Sequence, residues 1–376
     1  MRFSWFLTVA TAVAACGGGG SSGSSAPTPL INASIGSTWS LDTVAPSQVG
    51  LTTAQVDDVL DHVFTDVALQ SALLLKNGYV VGERYAAGYG RTDFGTSWSV
   101  GKSLYGAAIG VAIDENWITG LDQQASDFLD EWLATDKETI TIRDILEMRA
   151  GFANEPIFFE FDQSAYAIER DPIGDPGISF RYSNNTSQLM EKIILRATGL
   201  NAHEYLRDKI LTPIGIDTNR IGLWLDPTGF NPLTYCCIDM QPDDFARFGL
   251  LYSRGGEWDG SQLVSAAYVS TSLSAQSAFY GLQWWVLNET FFSESVPITV
   301  SAALGLDGQK IYVWPAEDVV LVVLTQYEHS RNQDYVLSTV NVPNTCTARN
   351  NCPGSSGGAV ASFDEHELIN LLAQLQ

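Results

Sequence analysis

A chain of 376 residues with 45% hydrophobic and 17% charged side chains has a globular composition, enough for one large domain or two intimate ones. With 43 acidic against 20 basic residues the net charge is −23, which repels nucleic acid and anionic lipid surfaces, and no basic cluster relieves it. The 4 histidines are scattered and neither C-x-x-C nor H-E-x-x-H occurs, so no metal or cofactor is expected.

Residues 1–15 read as an export signal: Arg2 gives the positive start, and Phe3 to Ala15 is apolar but too short to span a bilayer. Val13-Ala14-Ala15-Cys16 resembles a bacterial lipoprotein box, which implies cleavage before Cys16 and lipid on that cysteine. An ordinary secretory signal cleaved near Ala15 is the other reading. Residues 16–40, with the run GGGGSSGSS, form a flexible tether ahead of a domain over residues 41–376. The protein is then expected to face the periplasm, held at the outer membrane through its N-terminal lipid alone. In an exported chain the remaining cysteines can pair. Cys346 and Cys352 enclose a short polar loop and are the expected disulfide. The adjacent Cys236 and Cys237 either form a vicinal bridge or stay reduced.

Along the domain, Thr52 to Phe64 predicts an amphipathic helix with Val56, Leu60 and Val63 on one face. Two apolar runs, Ala72–Leu75 and Tyr79–Val81, flank Asn77-Gly78 and predict a hairpin. Ser97-Trp98-Ser99-Val100-Gly101-Lys102-Ser103 then leads into the apolar run Leu104 to Ile113, a buried helix of about four turns. Ser99 falls at its start and Lys102 one turn later on the same face. A serine hydroxyl needs a base, and a lysine can be that base once burial and a helix N-terminus lower its pKa. The bland alternative is an N-cap serine followed by a surface lysine. A P-loop fails because its glycine would fall at Thr96, and a nucleophile elbow because Ser97 replaces its first glycine. The histidines such an elbow needs, His329 and His366, sit in no recognisable context.

Residues 117–274 are mainly helical, with helices expected over Thr141–Met148, Thr186–Ala197 and Asp243–Tyr252. Strands follow at Tyr280–Leu287, Ile298–Leu304, Lys310–Val313 and Val319–Thr325, and a helix at Glu365–Gln374. The order implies an α+β fold: an antiparallel sheet flanked by N- and C-terminal helices, with a helical lobe and the Ser99 helix at their junction.

Inside that lobe lies Phe180-Arg181-Tyr182-Ser183-Asn184. Ser-x-x-Lys followed by Tyr-Ser-Asn resembles the serine β-lactamase and penicillin-binding-protein family, in its class C-like branch with esterases and 6-aminohexanoate-dimer hydrolases. Thr141 to Phe152, Met240 to Gly249 and Tyr280 to Trp285 are similar to further segments of that family. The resemblance implies a β-lactamase/transpeptidase-like fold and hydrolysis through an acyl-enzyme. Ser99 would be the nucleophile, Lys102 and Tyr182 would exchange its proton, and Asn184 would belong to the substrate and proton network. The oxyanion hole would use the backbone of Ser99 and of Ala303, or of Leu304 after a one-residue slip. A phenol beside an ammonium can ionise nearer neutrality and act as base, so either Lys102 or Tyr182 can be the resting base. The family's Lys/His-Thr-Gly motif falls on Val300-Ser301-Ala302, without a cation, whereas Gly305 to Gln309 resembles the G-x-x-G-Q signature of the esterase branch. A small-molecule ester or amide is thus the expected substrate. A true β-lactamase or D,D-peptidase, and a non-catalytic binding lipoprotein, are the alternatives. Trp98, Trp284 and Trp285 suggest an apolar cleft, and Arg181 is the one nearby cation that could replace the missing lysine.

Overall fold

The structure is a computed structural model that describes residues 30–33, 40–326 and 362–376. Thr52 caps helix α1 (Thr53–Val63) in a reciprocal capping box with Gln55, and Val56, Val59, Leu60 and Val63 form its buried face. Strand β1 (Leu69–Lys76, LQSALLLK) is buried along its whole length, as a strand covered on both faces must be. Asn77 and Gly78 both take positive φ, 54° and 77°, and turn the chain tightly into β2 (Tyr79–Tyr85). Residues 30–33, which composition assigns to the tether, are docked here: Ile31 N–H donates to Gln48 O and Ala33 N–H to Asn77 O.

The lobe opens with β3 (Gly95–Thr96) and α2 (Gly101–Asp114), and continues through α3 (Ile142–Leu146), α4 (Gln163–Glu169), α5 (Asn184–Thr198) and α6 (Ala202–Leu206). Strands β4 (Gly222–Leu223) and β5 (Ile238–Met240) pair in the order β3-β5-β4, a small sheet that sequence patterning does not reveal. Helix α7 (Pro242–Ser253), the hairpin of β6 (Glu257–Trp258) and β7 (Ser261–Gln262), and α8 (Ala266–Ser272) lead back to the main sheet. There β8 (Trp285–Leu287), the short α9 (Glu289–Phe292), β9 (Val300–Leu304), β10 (Lys310–Trp314) and β11 (Val319–Thr325) follow, and α10 (Glu365–Leu372) comes last among the described helices.

The main sheet has six strands in the antiparallel order β2-β1-β11-β10-β9-β8. Alternation along its strands feeds two cores. Ala72, Leu74, Tyr312, Leu321 and Val323 face α1 and α10, while Leu73, Leu75, Ile311, Val320 and Val322 join the core of the lobe with α2 and α7. Each valine, leucine or isoleucine among them contributes about 1.5–3 kcal/mol by leaving water, so the sheet is held from both sides. The mixed α+β architecture is the one expected, with one local difference. The strand expected from Tyr280 starts only at Trp285. A Cβ at Gly281 would lie 2.0 Å from Ser272 O. Gln283 has φ 61°. Residues 280–284 therefore turn instead of extending.

Candidate active site

Ser99 sits in a 3₁₀ turn (Trp98–Val100) immediately before α2, at the positive end of that helix's dipole. The turn is held from beneath by β5. Ser97 N–H donates to Ile238 O at 2.8 Å, and Ser97 Oγ accepts from Ile238 N at 2.8 Å and Cys237 N at 3.3 Å. Trp98, just before the serine, has φ 42°, a region costly for a bulky residue and characteristic of functional turns.

Lys102 is one turn on, in a helix so rich in small residues that almost all of it is buried. Its Nζ lies 2.9 Å from Ser99 Oγ, 2.8 Å from Asn184 Oδ1 and 2.6 Å from Tyr235 O. All three partners are uncharged. Burial with no compensating charge pushes the lysine well below its ordinary pKa. The Tyr182 hydroxyl hydrogen-bonds Ser99, and Lys102 Nζ stands 5.0 Å from the centre of the Tyr182 ring. Burial raises the phenol to about 12, with the Ser99 hydrogen bond only partly opposing, so of the two groups it is the lysine that burial moves toward a base.

Tyr182 and Asn184 reach the serine from the start of α5. Ser183 caps that helix by accepting from Thr186 N, and its Oγ donates to Ala153 O at 2.8 Å. Asn184 N–H donates to Asn154 Oδ1 at 2.9 Å. The four residues singled out by sequence, Ser99, Lys102, Tyr182 and Asn184, therefore meet at one point.

A cavity of about 540 Å³ opens over Ser99 between the lobe and the sheet. Trp98, Phe158, Trp285, Phe291, Leu304 and Leu306 make its walls largely apolar, and among the described residues no lysine, arginine or histidine lines it. Trp285 stacks on Tyr182 with ring centres 5.4 Å apart. Trp284 is elsewhere, in the core against Tyr252. Arg181 is exposed and does not line the cavity; a guanidinium nitrogen lies 3.8 Å from where a Cβ on Gly174 would stand. Ser301 is turned away as well, donating to Leu273 O.

The edge of β9 separates the two residues left open for the oxyanion hole. Gly305 N–H donates to Gln309 O, and with Ala303 opposite Ile311 the antiparallel alternation sends the Ala303 amide toward β10. The Leu304 amide then faces the other edge, which β8 leaves open beyond Ala302. Leu304 also lines the cavity, and Ala303 does not. Gly305 allows this approach, since a Cβ there would lie 2.5 Å from Ser97 O.

Cys236 and Cys237 are joined as a vicinal disulfide, with Cys236 against the cavity. Cys16, Cys346, Cys352 and His329 lie outside the described residues. His366 belongs to α10, where its Nε2 meets Ser295 O. Sequence reading missed Tyr235, whose contribution is a backbone carbonyl, and Asn154, Phe158 and Phe291, which carry no motif.

A serine-and-lysine turn on this two-core fold defines a class. The family model described as Beta-lactamase matches residues 76–339, well over half of the chain. The chain belongs to that family and is a serine hydrolase of it. Among its relatives, a 6-aminohexanoate-dimer hydrolase of Paenarthrobacter ureafaciens is 24% identical over 306 residues, 71% of this chain and 75% of that one. A penicillin-binding protein homolog from Caulobacter crescentus superposes with a TM-score of 0.61 at 16% identity, over 72% of this chain and 91% of that one. A β-lactamase from Mycobacterium bovis gives 0.53 at 21%, over 71% and 90%.

Proposed function

We propose that this protein hydrolyses small, neutral carboxylic esters or amides through an acyl-enzyme on Ser99. The observation that carries the reading is the Lys102 amine, 2.9 Å from Ser99 Oγ and held by uncharged acceptors, at a cavity that no cation among the described residues lines. A neutral amine donates its N–H groups to Asn184 Oδ1 and Tyr235 O and turns its lone pair to the Ser99 hydroxyl. It takes the Ser99 proton as Oγ attacks the carbonyl carbon. The amides of Ser99 and Leu304 donate to the oxyanion. The Tyr182 hydroxyl, which holds its proton up to about pH 12, relays a proton to the leaving oxygen or nitrogen and is re-protonated from Lys102. Water then attacks the acyl carbon by the reverse path, with Lys102 again taking the proton. The name of the Paenarthrobacter relative supports an amide among the substrates.

A substrate carboxylate finds no charged partner here, and a charge-assisted hydrogen bond is commonly worth about 1.5–3 kcal/mol. p-Nitrophenyl acetate or butyrate should therefore be cleaved with a higher kcat/KM than nitrocefin. A fluorophosphonate should label the wild type and not Ser99→Ala. Equal or better turnover of nitrocefin, abolished in Ser99→Ala, would return the protein to the β-lactamases proper.

We also propose that residues 1–15 are removed and that Cys16 carries lipid anchoring the domain on the periplasmic side of the outer membrane, from the sequence Val13-Ala14-Ala15-Cys16. Cys16→Ser should move the protein from the membrane to the soluble periplasmic fraction; unchanged fractionation rules the anchor out.

A further inference from the structure

The vicinal disulfide lies beneath the catalytic turn, and residues 235–238 touch that turn at three places. Tyr235 O accepts from Lys102 Nζ at 2.6 Å. The Cys236 backbone lies so close to Gly101 that a Cβ there would come within 2.9 Å of Cys236 C. Cys237 N and Ile238 N donate to Ser97 Oγ, at 3.3 and 2.8 Å. Between them Cys237 holds φ 103°, a conformation that an L side chain avoids unless something fixes it. The bridge to Cys236 closes a small ring through this peptide, with the two Cα atoms 3.5 Å apart. Once the ring opens, Cys237 is free to return to negative φ, and the peptide that carries these contacts turns with it.

We propose that the Cys236–Cys237 disulfide is a positioning element for Lys102 and the Ser99 turn, so that full activity requires its oxidised form. The inference rests on Ser99 and Lys102 acting as proposed above. A dithiol reductant opens the ring by supplying two electrons and two protons. It becomes a disulfide itself and leaves Cys236 and Cys237 as thiols. The route to the bridge is the cavity, which Cys236 lines.

The test compares four samples on p-nitrophenyl butyrate: wild type, wild type treated with dithiothreitol, Cys236→Ala/Cys237→Ala, and Cys236→Ala/Cys237→Gly. Fluorophosphonate labelling rates are taken in parallel. Reduction and the double-alanine variant should each lower kcat and the labelling rate about tenfold or more, with KM changed less than twofold. Glycine adopts positive φ freely, so Cys237→Gly in the second variant should recover much of the loss. A general loss of packing would not be rescued this way. Dithiothreitol should have no further effect on either variant. Wild-type kcat in the reduced enzyme, an equal fall on adding reductant to Cys236→Ala/Cys237→Ala, or no gain from glycine would each overturn the proposal. The reduced wild type keeps the test decisive if a variant does not fold. An untreated wild type that neither labels nor turns over would instead overturn the proposed function.

Discussion

Two buried lysines on opposite sides of the sheet show how surroundings decide what a side chain does. Lys310, on β10, is 3.0 Å from Glu365 of α10, whose carboxylate also accepts from Tyr312 at 2.7 Å. Its Nζ rests 4.2 Å from the centre of the Phe363 ring. That lysine is a charged partner fixing the last helix to the sheet. Lys102, on the other face, is offered a hydroxyl, an amide oxygen and a peptide carbonyl, and among the described residues no carboxylate joins them. The same burial that the ion pair offsets for one becomes, for the other, the force that favours the free amine. The chain is rich in acidic residues, so keeping them from this amine is itself a feature of the site.

The largest expected effect comes from removing the amine. Lys102→Ala should lower kcat by about a hundredfold or more, as loss of a general base does, measured on p-nitrophenyl butyrate with the protein still folded. Tyr182→Phe should cost a similar factor in the same assay, since the proton then has no relay. A subtler change makes Lys102 resemble Lys310. Asn184→Asp places a carboxylate where an amide oxygen lies 2.8 Å from Nζ. An opposite charge at that range favours the ammonium and raises the lysine pKa. The acid limb of the kcat profile, along which the rate rises as Lys102 loses its proton, should therefore move to higher pH. Activity at neutral pH falls and returns in alkali. No alkaline fall from Tyr182 should intervene, because that phenol keeps its proton up to about 12. The smallest catalytic effect belongs to the other face. Lys310→Met should leave kcat within about twofold and lower unfolding free energy in urea by about 1–3 kcal/mol, the range for losing a charged hydrogen bond.

Much of this contrast is legible in the sequence. Ser99, Lys102, Tyr182 and Asn184 stand out because their types and spacing carry a family pattern, and the structure brings them together. The Asn77-Gly78 hairpin and the helices capped by Thr52 and Thr141 follow from local rules that distant contacts do not override. What stayed hidden depends on register or on the main chain. Choosing Leu304 over Ala303 requires knowing which way each amide of β9 points, and a one-residue slip reverses it. Tyr235 contributes a carbonyl, which every residue possesses, so no residue type announces it. The strands β4 and β5 are too short to show a period. Cys236-Cys237 was conspicuous, but the sequence left the bridged and reduced states open.

The docking of residues 30–33 has a topological consequence. Leu30, Asn32 and Gln376 line one cleft of about 380 Å³, which shares no residue with the catalytic cavity. Lys76 Nζ spans the same corner, donating to Leu375 O. Leu30 and Gln376 thus border one corner of the molecule, with the helical lobe as an excursion between β2 and β8. A glycine linker from Gln376 to Leu30 would bridge that cleft. New ends cut near Gly120, whose surroundings are open, would give a circularly permuted hydrolase that begins and ends in the lobe while every strand of the main sheet keeps its neighbours.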